Sequence, residues 1–462
     1  MATRRGEAYG RAWAGAVDTN PAGYPLRCDP GVPPPRMGRI QHSGSRSHFF
    51  HCLLGIGLLS TFLKYAPDII KPPDCVSGLR SWLAGSCCGT LSSLKAHTLG
   101  SIVIKEALAR ARVQPEEVSE VILGQVLTAG QGQNPARQAA IMAGIPYTIP
   151  AYLVNMLCGS GLKAVQLGCQ AIKSRESEVV VCGGQESMSQ AHHSMHLRSG
   201  VKLGDALFTD TITVDGLTDA FNNIHMGETA ENIAKQFNIS REEQDRYALE
   251  SQARTKRAQD ESRFAKEMIP VTTKVRKETA VVDRDEFPRP NSTLEDLGKL
   301  RPAFLKNGGT VTAGNASGIN DGAAALVLMT EGAARSRGLA PLARIVSSAQ
   351  VGVDPTIMGT GPIPAVTAAL QRAGWDKDDV DLFELNEAFA AQALAVVRGL
   401  GVNPAKVNVN GGAISLGHPI GASGARILVT LLYALERTGG RKGVASLCVG
   451  GGMGIALCVE RV

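Results

Sequence analysis

Long apolar runs are missing from this sequence. The longest, roughly Phe49 to Leu63, falls short of the ~20 residues a bilayer-spanning helix needs, so the chain reads as one that does not enter a membrane. Cysteine pairs at CxxC spacing are absent too. Ten cysteines spread over 462 residues exclude a disulfide scaffold and a zinc ribbon, and fit a reducing compartment. Surplus charge is lacking outside the front of the chain: the first hundred residues hold 11 Lys+Arg against 5 Asp+Glu, and the remainder balances at 37 against 37. A nucleic-acid binder concentrates positive charge on a structured face, so nucleic acid is set aside. The leader also lacks the acid-free helix of an organelle import signal, because Glu7, Asp18 and Pro33-Pro34-Pro35 interrupt Arg4, Arg5 and Arg11. A cytoplasmic protein is the expectation.

What is present is a chain of 44% apolar content, long enough to bury a large core in two or three lobes. Residues 1–90 are broken by Pro and Gly and read as an irregular leader. From Gly100 a pattern begins that later recurs. Ala107 to Gly124 and Ala369 to Asn386 share an Ala-Leu-x-Arg-Ala helix end, an acidic turn, then an apolar strand. Further on, Ser160-Gly161 opens a helix leading to the strand Val179-Val-Val-Cys182, as Ser423-Gly424 opens one leading to Ala445-Ser-Leu-Cys448. Two copies of a strand-helix-strand unit imply an α/β fold of duplicated, layered half-domains with parallel crossovers. The first half is expected at 91–187 plus 318–340 and the second at 341–462. Between them, residues 188–317 form an inserted lobe with a helix over Arg241 to Asp260. One element is missing from the pattern: the second copy starts with the strand Leu342 to Gly352, whereas the same offset falls on Arg80 to Thr90, a weak strand. Either the first half lacks its opening strand or the leader supplies a substitute.

Four segments place a reactive side chain at the end of an element, mostly beside glycines, where backbone N–H groups converge. Cys158 precedes Gly159-Ser160-Gly161 at a helix start, where the dipole favours thiolate and a nucleophile fits; a lone cysteine is more often a buried structural residue. His418 sits in Gly417-His-Pro-Ile-Gly421-Ala-Ser423-Gly424, a glycine-rich loop that holds an imidazole for proton transfer, although a loop histidine is commonly only a surface residue. Asn386-Glu387-Ala388-Phe389 ends a strand and begins a helix. Asn386 is equally a helix cap or an amide that positions a water or a thioester oxygen. Cys448-Val-Gly450-Gly-Gly-Met-Gly454 is a strand end and a glycine turn, either a hairpin with an incidental thiol or part of a site. It is not a phosphate loop, since no Gly-Lys-Ser/Thr follows.

Together, Cys158-Gly-Ser-Gly-Leu-Lys-Ala-Val, Asn386-Glu-Ala-Phe-Ala, Gly417-His-Pro-Ile-Gly-Ala-Ser-Gly and Cys448-Val-Gly-Gly-Gly-Met-Gly resemble the four signature blocks of thiolases, over Gly100 to Val462. His225-Met226-Gly227 and Asn315-Ala316-Ser317-Gly318 resemble the short-chain biosynthetic branch and its cytosolic animal form. The resemblance implies acetyl-CoA C-acetyltransferase activity, with acetyl-CoA, acetoacetyl-CoA and CoA as partners. In that pattern Cys158 is the nucleophile, His418 its base and Cys448 the base toward a second acetyl-CoA, with Asn386 and Gly450 stabilising oxyanions. It places CoA against Leu217, His225, Met226, Arg289, Ser292, Phe304 and Ser317, with Ala388 and Phe389 near the pantetheine. No metal and no cofactor beyond the CoA thioester is implied, and the assembly implied is a homotetramer. Pro290-Asn291 departs from the family's usual His-Gly. The front departs more, since thiolases open with a central strand; a chain without it would be a catalytically impaired variant. The alternative family, ketoacyl synthases, shares the scaffold and the nucleophilic cysteine but places His or Asn where Cys448 stands.

Overall fold

The computed structural model describes the backbone of residues 75–86, 88–275 and 278–462. The leader up to residue 74 lies outside the described residues. Among the described residues nine strands form one sheet: β1 (Cys75–Ser86), β2 (Glu120–Gly124), β3 (Ala151–Val154), β4 (Val179–Ser187), β5 (Asn320–Thr330), β6 (Ala343–Gly352), β7 (Leu382–Leu385), β8 (Lys442–Val449) and β9 (Met453–Arg461). Their order is β7-β8-β9-β6-β1-β5-β4-β2-β3. Reading outward from the centre, β6-β9-β8-β7 repeats β1-β5-β4-β2, so the duplication seen in the sequence is a duplication of topology. β2 pairs parallel with β4, and β7 with β8, as right-handed crossovers require. Among the described residues the two halves of the sheet meet through two pairs, Val76↔Arg344 and Ser77↔Ala343.

Helices α1 (Ala96–Ala111), α2 (Pro135–Met142) and α3 (Ser160–Lys173) belong to the first half, α4 (Met226–Gln236) and α5 (Arg241–Asp260) to the inserted lobe, and α6 (Pro362–Ala373), α7 (Ala390–Leu400), α8 (Ala413–Leu416) and α9 (Ser423–Thr438) to the second half. α9 is buried on every face from Ser423 to Leu435, the mark of a helix enclosed by protein. It packs on α3, and each of the two also touches strands of both halves, so the pair forms the middle layer. α1 and α6 cover the outer faces. α5 spans the residues its charge pattern indicates, started by Ser240, which accepts from the Glu243 N–H in a capping box.

The front of the chain corrects one expectation. Residues 75–86, placed in the irregular leader, form the central strand β1, paired antiparallel with β5 from Cys75↔Thr330 to Ser86↔Asn320. The first half therefore has its opening strand, and the leader supplies it. The register shifts between Ser77 and Arg80, at Gly78, a bulge of the kind glycine permits. Among the described residues no helix is long and apolar enough to cross a membrane.

Candidate active site

The loop before α3 is built to expose a side chain. Leu157 takes φ 46°, a left-handed conformation uncommon for leucine. The Ser160 hydroxyl fixes it, accepting from Met156 N–H at 2.8 Å and donating to Leu157 C=O at 2.6 Å. Cys158 follows, half-buried, against an apolar wall of Val126, Leu127, Met188 and Ile420. Its thiol is pushed up from 9.0 to about 11, chiefly by burial, with Glu186 adding to the shift; the nearby N–H groups of Gly450 and of Cys158 itself oppose it. The thiolate expected from the helix dipole is thus corrected to a resting thiol. A helix terminus contributes about 0.3–1 kcal/mol, less than one pKa unit, and desolvation outweighs it.

His418 is buried beside Gly417, whose φ of 87° brings the backbone so close to Asn320 that a Cβ would lie 2.3 Å from its Cγ. Asn320 Oδ1 accepts from His418 N–H at 3.0 Å. The ring's Nδ1 lies 2.6 Å from Ser423 Oγ, which itself donates to Pro419 C=O at 3.0 Å. With the Ser423 hydroxyl proton directed to that carbonyl, Nδ1 carries the ring's proton. Nε2 is then an acceptor, its lone pair receiving the Asn386 Nδ2–H at 3.4 Å. Burial, then the nearby Arg426, lower His418 to about 3, so the imidazole is neutral. Asn386 is not a helix cap: α7 starts at Ala390 with Phe389 at the N-cap. Its Oδ1 is buried without a partner, an acceptor in search of a donor.

β8 and β9 form the hairpin, with Cys448 fully buried at the end of β8. Burial first, then the Cys158 thiol, push Cys448 well above the usual range, so the two sulfurs, from different halves, share one electrostatic environment. Cys448 packs with Met226, Ala388 and Phe389, and Phe304 lies against the same cluster. His225 caps α4 and stacks on Phe304 at 4.7 Å. Ser317 N–H donates to Ala388 C=O at 3.0 Å. Leu217 follows Gly216, where a Cβ would touch Ile420. Arg289 and Ser292 stand apart from this cluster, lining a cavity of about 150 Å³ with Phe287, Leu297 and Leu300. Phe287 in turn lies over Gly318.

Two sequence families match: "Thiolase, N-terminal domain" over residues 75–332 and "Thiolase, C-terminal domain" over 339–461. The chain belongs to the thiolase family. It is 58% identical over 391 residues to the cytosolic acetyl-CoA acetyltransferase of Mus musculus, covering 84% of this chain and 98% of that one. It is 59% identical over 392 residues to the acetyl-CoA acetyltransferase of Rhizobium meliloti, covering 85% and 100%. Among solved structures it resembles the Bacillus anthracis acetyl-CoA acetyltransferase (TM-score 0.83, 45% identity, 84% of this chain and 99% of that one). The human mitochondrial 3-ketoacyl-CoA thiolase is similar at TM-score 0.82, with 45% identity and the same coverage. The thiolase match begins at residue 75, where β1 begins.

This thiolase site also rests on residues the sequence did not single out. Glu387, given no role of its own from the sequence, is a buried hub that accepts from Tyr247, Ser251, Asn408 and Ile414 N–H, tying α5 to the segment ahead of His418. Glu186 accepts three backbone N–H bonds beside the nucleophile. Its signal was legible: like Cys448, it is a reactive group at a strand end beside a glycine pair, Gly183-Gly184.

Proposed function

We propose that the chain is an acetyl-CoA C-acetyltransferase that joins two acetyl-CoA into acetoacetyl-CoA and CoA through S-acetyl-Cys158. The observation that carries this reading is the close approach of the nucleophile loop to the end of β8, where a Cβ on Gly159 would lie 2.9 Å from Val449 Cγ2 and one on Gly450 would lie 2.8 Å from Leu157 Cδ1; it supports a shared site for the thiol of the first half and the β8 end bearing Cys448. Both thiols start protonated. As Cys158 attacks the first thioester, its proton passes to His418 Nε2 and the carbonyl oxygen is received by the N–H groups of Cys158 and Gly450. CoA leaves as thiolate and takes the proton of Cys448, which makes Cys448 the base for the second half. It removes a methyl proton from the second acetyl-CoA, whose developing oxyanion meets His418 and a water held at Asn386, and the resulting carbanion attacks the acetyl group, whose oxygen stays at the N–H groups of Cys158 and Gly450. Cys158 leaves and regains its proton from His418, closing the cycle; thiolysis runs the same steps backward.

CoA lies along the inserted lobe, with the pantetheine between Met226, Phe304, Ala388 and Phe389, and Leu217, His225 and Ser317 beside it. Its nucleotide end reaches Arg289 and Ser292. The CoA thioester suffices without a metal or other cofactor. The protein acts in the cytoplasm, in lipid metabolism, as a homotetramer. The apolar surface of the lobe, where Leu203, Leu207 and Phe208 are exposed, supports assembly, and light scattering should give four times the chain mass. The decisive experiment on the chemistry is Cys448→Ser. The variant should still take up label from [¹⁴C]acetyl-CoA on Cys158 but form no acetoacetyl-CoA, and undiminished condensation would overturn the reading.

A further inference from the structure

Glu186, near the end of β4, is fully buried among backbone. Its Oε2 accepts from Val126 N–H at 3.0 Å and Gly421 N–H at 2.9 Å, and its Oε1 accepts from Leu127 N–H at 3.2 Å. These donors come from two loops that share no sequence neighbourhood. Residues 125–127 follow β2, and Gly421 lies three residues after His418. The loops meet where no side chain fits: a Cβ on Gly184 would lie 2.2 Å from Gly421 C=O, and one on Gly421 would lie 2.6 Å from Gln125 Cα. Val126, Leu127 and Ile420 are also the apolar wall against Cys158. Among the described residues no ion pair joins Glu186 to a cation, so peptide dipoles hold the carboxylate.

We infer that Glu186 is a positioning residue, a buried carboxylate clamp that locks the wall of the acyl pocket to the histidine loop and sets how closely Cys158 and His418 face one acyl group. The inference rests on the proposed thiolase chemistry for its kinetic readout but not for its chemical one. Three charge-assisted bonds from backbone are strong, and they join the two loops beside the apolar packing of Val126 and Leu127 with Ile420. Charge matters beside reach. The ionisable groups facing Glu186 are Asp321 on β5 and Cys158 ahead of α3. Those facing the Cys158 thiol are Glu186 and Cys448, together with His418, the base of the proposed reaction. Burial holds Glu186 up to about 7, against the pull of its three N–H donors. Above that pH its negative charge opposes ionisation of Cys158, so the nucleophile stays a thiol until a base accepts its proton.

The test uses the full chain and two variants. Glu186→Gln keeps the length but loses the charge and one acceptor; Glu186→Asp keeps the charge but loses reach. The rate of Cys158 alkylation by iodoacetamide should climb with pH in the parent toward about 11. In Glu186→Gln its midpoint should fall by about one unit, the size of a nearby-charge effect, and in Glu186→Asp it should stay. Both variants should lose kcat for acetoacetyl-CoA thiolysis at least tenfold with KM changed less than threefold, since the CoA contacts lie elsewhere. If the parent turns over no acetoacetyl-CoA, the proposed reaction fails while the alkylation profile still decides the role of Glu186. An unmoved alkylation midpoint in Glu186→Gln, or a kcat within twofold of the parent in both variants, overturns the inference. So does failure of both variants to fold, which would make Glu186 a folding determinant instead.

Discussion

Ser423 has one hydroxyl proton and two claimants, and the way it is shared fixes which nitrogen of His418 is basic. With Ser423→Ala the buried Nδ1–H loses its acceptor, at a cost of about 1–3 kcal/mol, and the ring is free to carry its proton on Nε2 instead. The expected result is a fall in kcat for thiolysis of at least about tenfold, bounded by the 10²–10⁴ a positioned base contributes, with KM little changed. An unaltered kcat would sink the tautomer assignment. The same residue shows what a sequence can and cannot disclose at this scale. Cys158, His418, Asn386 and Cys448 were legible because glycines or an element boundary mark them. Ser423 was visible only as the start of a helix, because its meaning comes from a ring five residues back and a carbonyl that no pattern encodes. The protonation of Cys158 was misjudged for a related reason: the dipole is local, whereas the desolvation that defeats it is supplied by distant segments.

Where α3 crosses α9, the two copies of the repeat meet glycine to glycine. A Cβ on Gly161 would lie 2.7 Å from Ala425 N, and one on Gly424 would lie 2.3 Å from Leu162 N. Both neighbours are backbone, so neither can yield. These helices start at the nucleophile loop and the histidine loop, and their close approach is what brings the loops together. Gly424→Ala should force the helices apart, lowering the urea midpoint at unchanged slope by the ~1–3 kcal/mol typical of overpacking, and cutting activity with it. Gly332→Ala, in a short helix with nothing within 4 Å of the added Cβ, serves as the comparison and should be neutral or slightly stabilising. Equal midpoints for the two variants would remove the argument. The helices themselves were readable from their periodicity, and so was the repeat. β1 was not: its partners in β5 lie more than 230 residues away, and Gly78 breaks whatever alternation a local reading needs.

At the scale of the whole molecule, the sheet is continuous only because β1 stands between β5 and β6. A chain shortened to begin at residue 75 keeps all nine strands, whereas one beginning at residue 88 leaves the facing edges of β5 and β6 with no strand between them. An unpaired buried backbone group costs about as much as a lost hydrogen bond, and β1 pairs with β5 along nearly its whole length, so the total exceeds the ~5–15 kcal/mol by which a fold is ordinarily stable. Exposed edges are also templates for aggregation. The chain starting at 75 should therefore be soluble and turn over acetoacetyl-CoA at the rate of the full chain, while the chain starting at 88 should be insoluble or elute as aggregate. The duplicated α/β plan was legible from three elements recurring in order. Which residues fill the centre was not, because the twelve that do so have a strand identity conferred by the two halves they join. A soluble, active chain lacking them would show that the halves hold together through α3 and α9 alone, and would move the origin of the fold from its sheet to its helices.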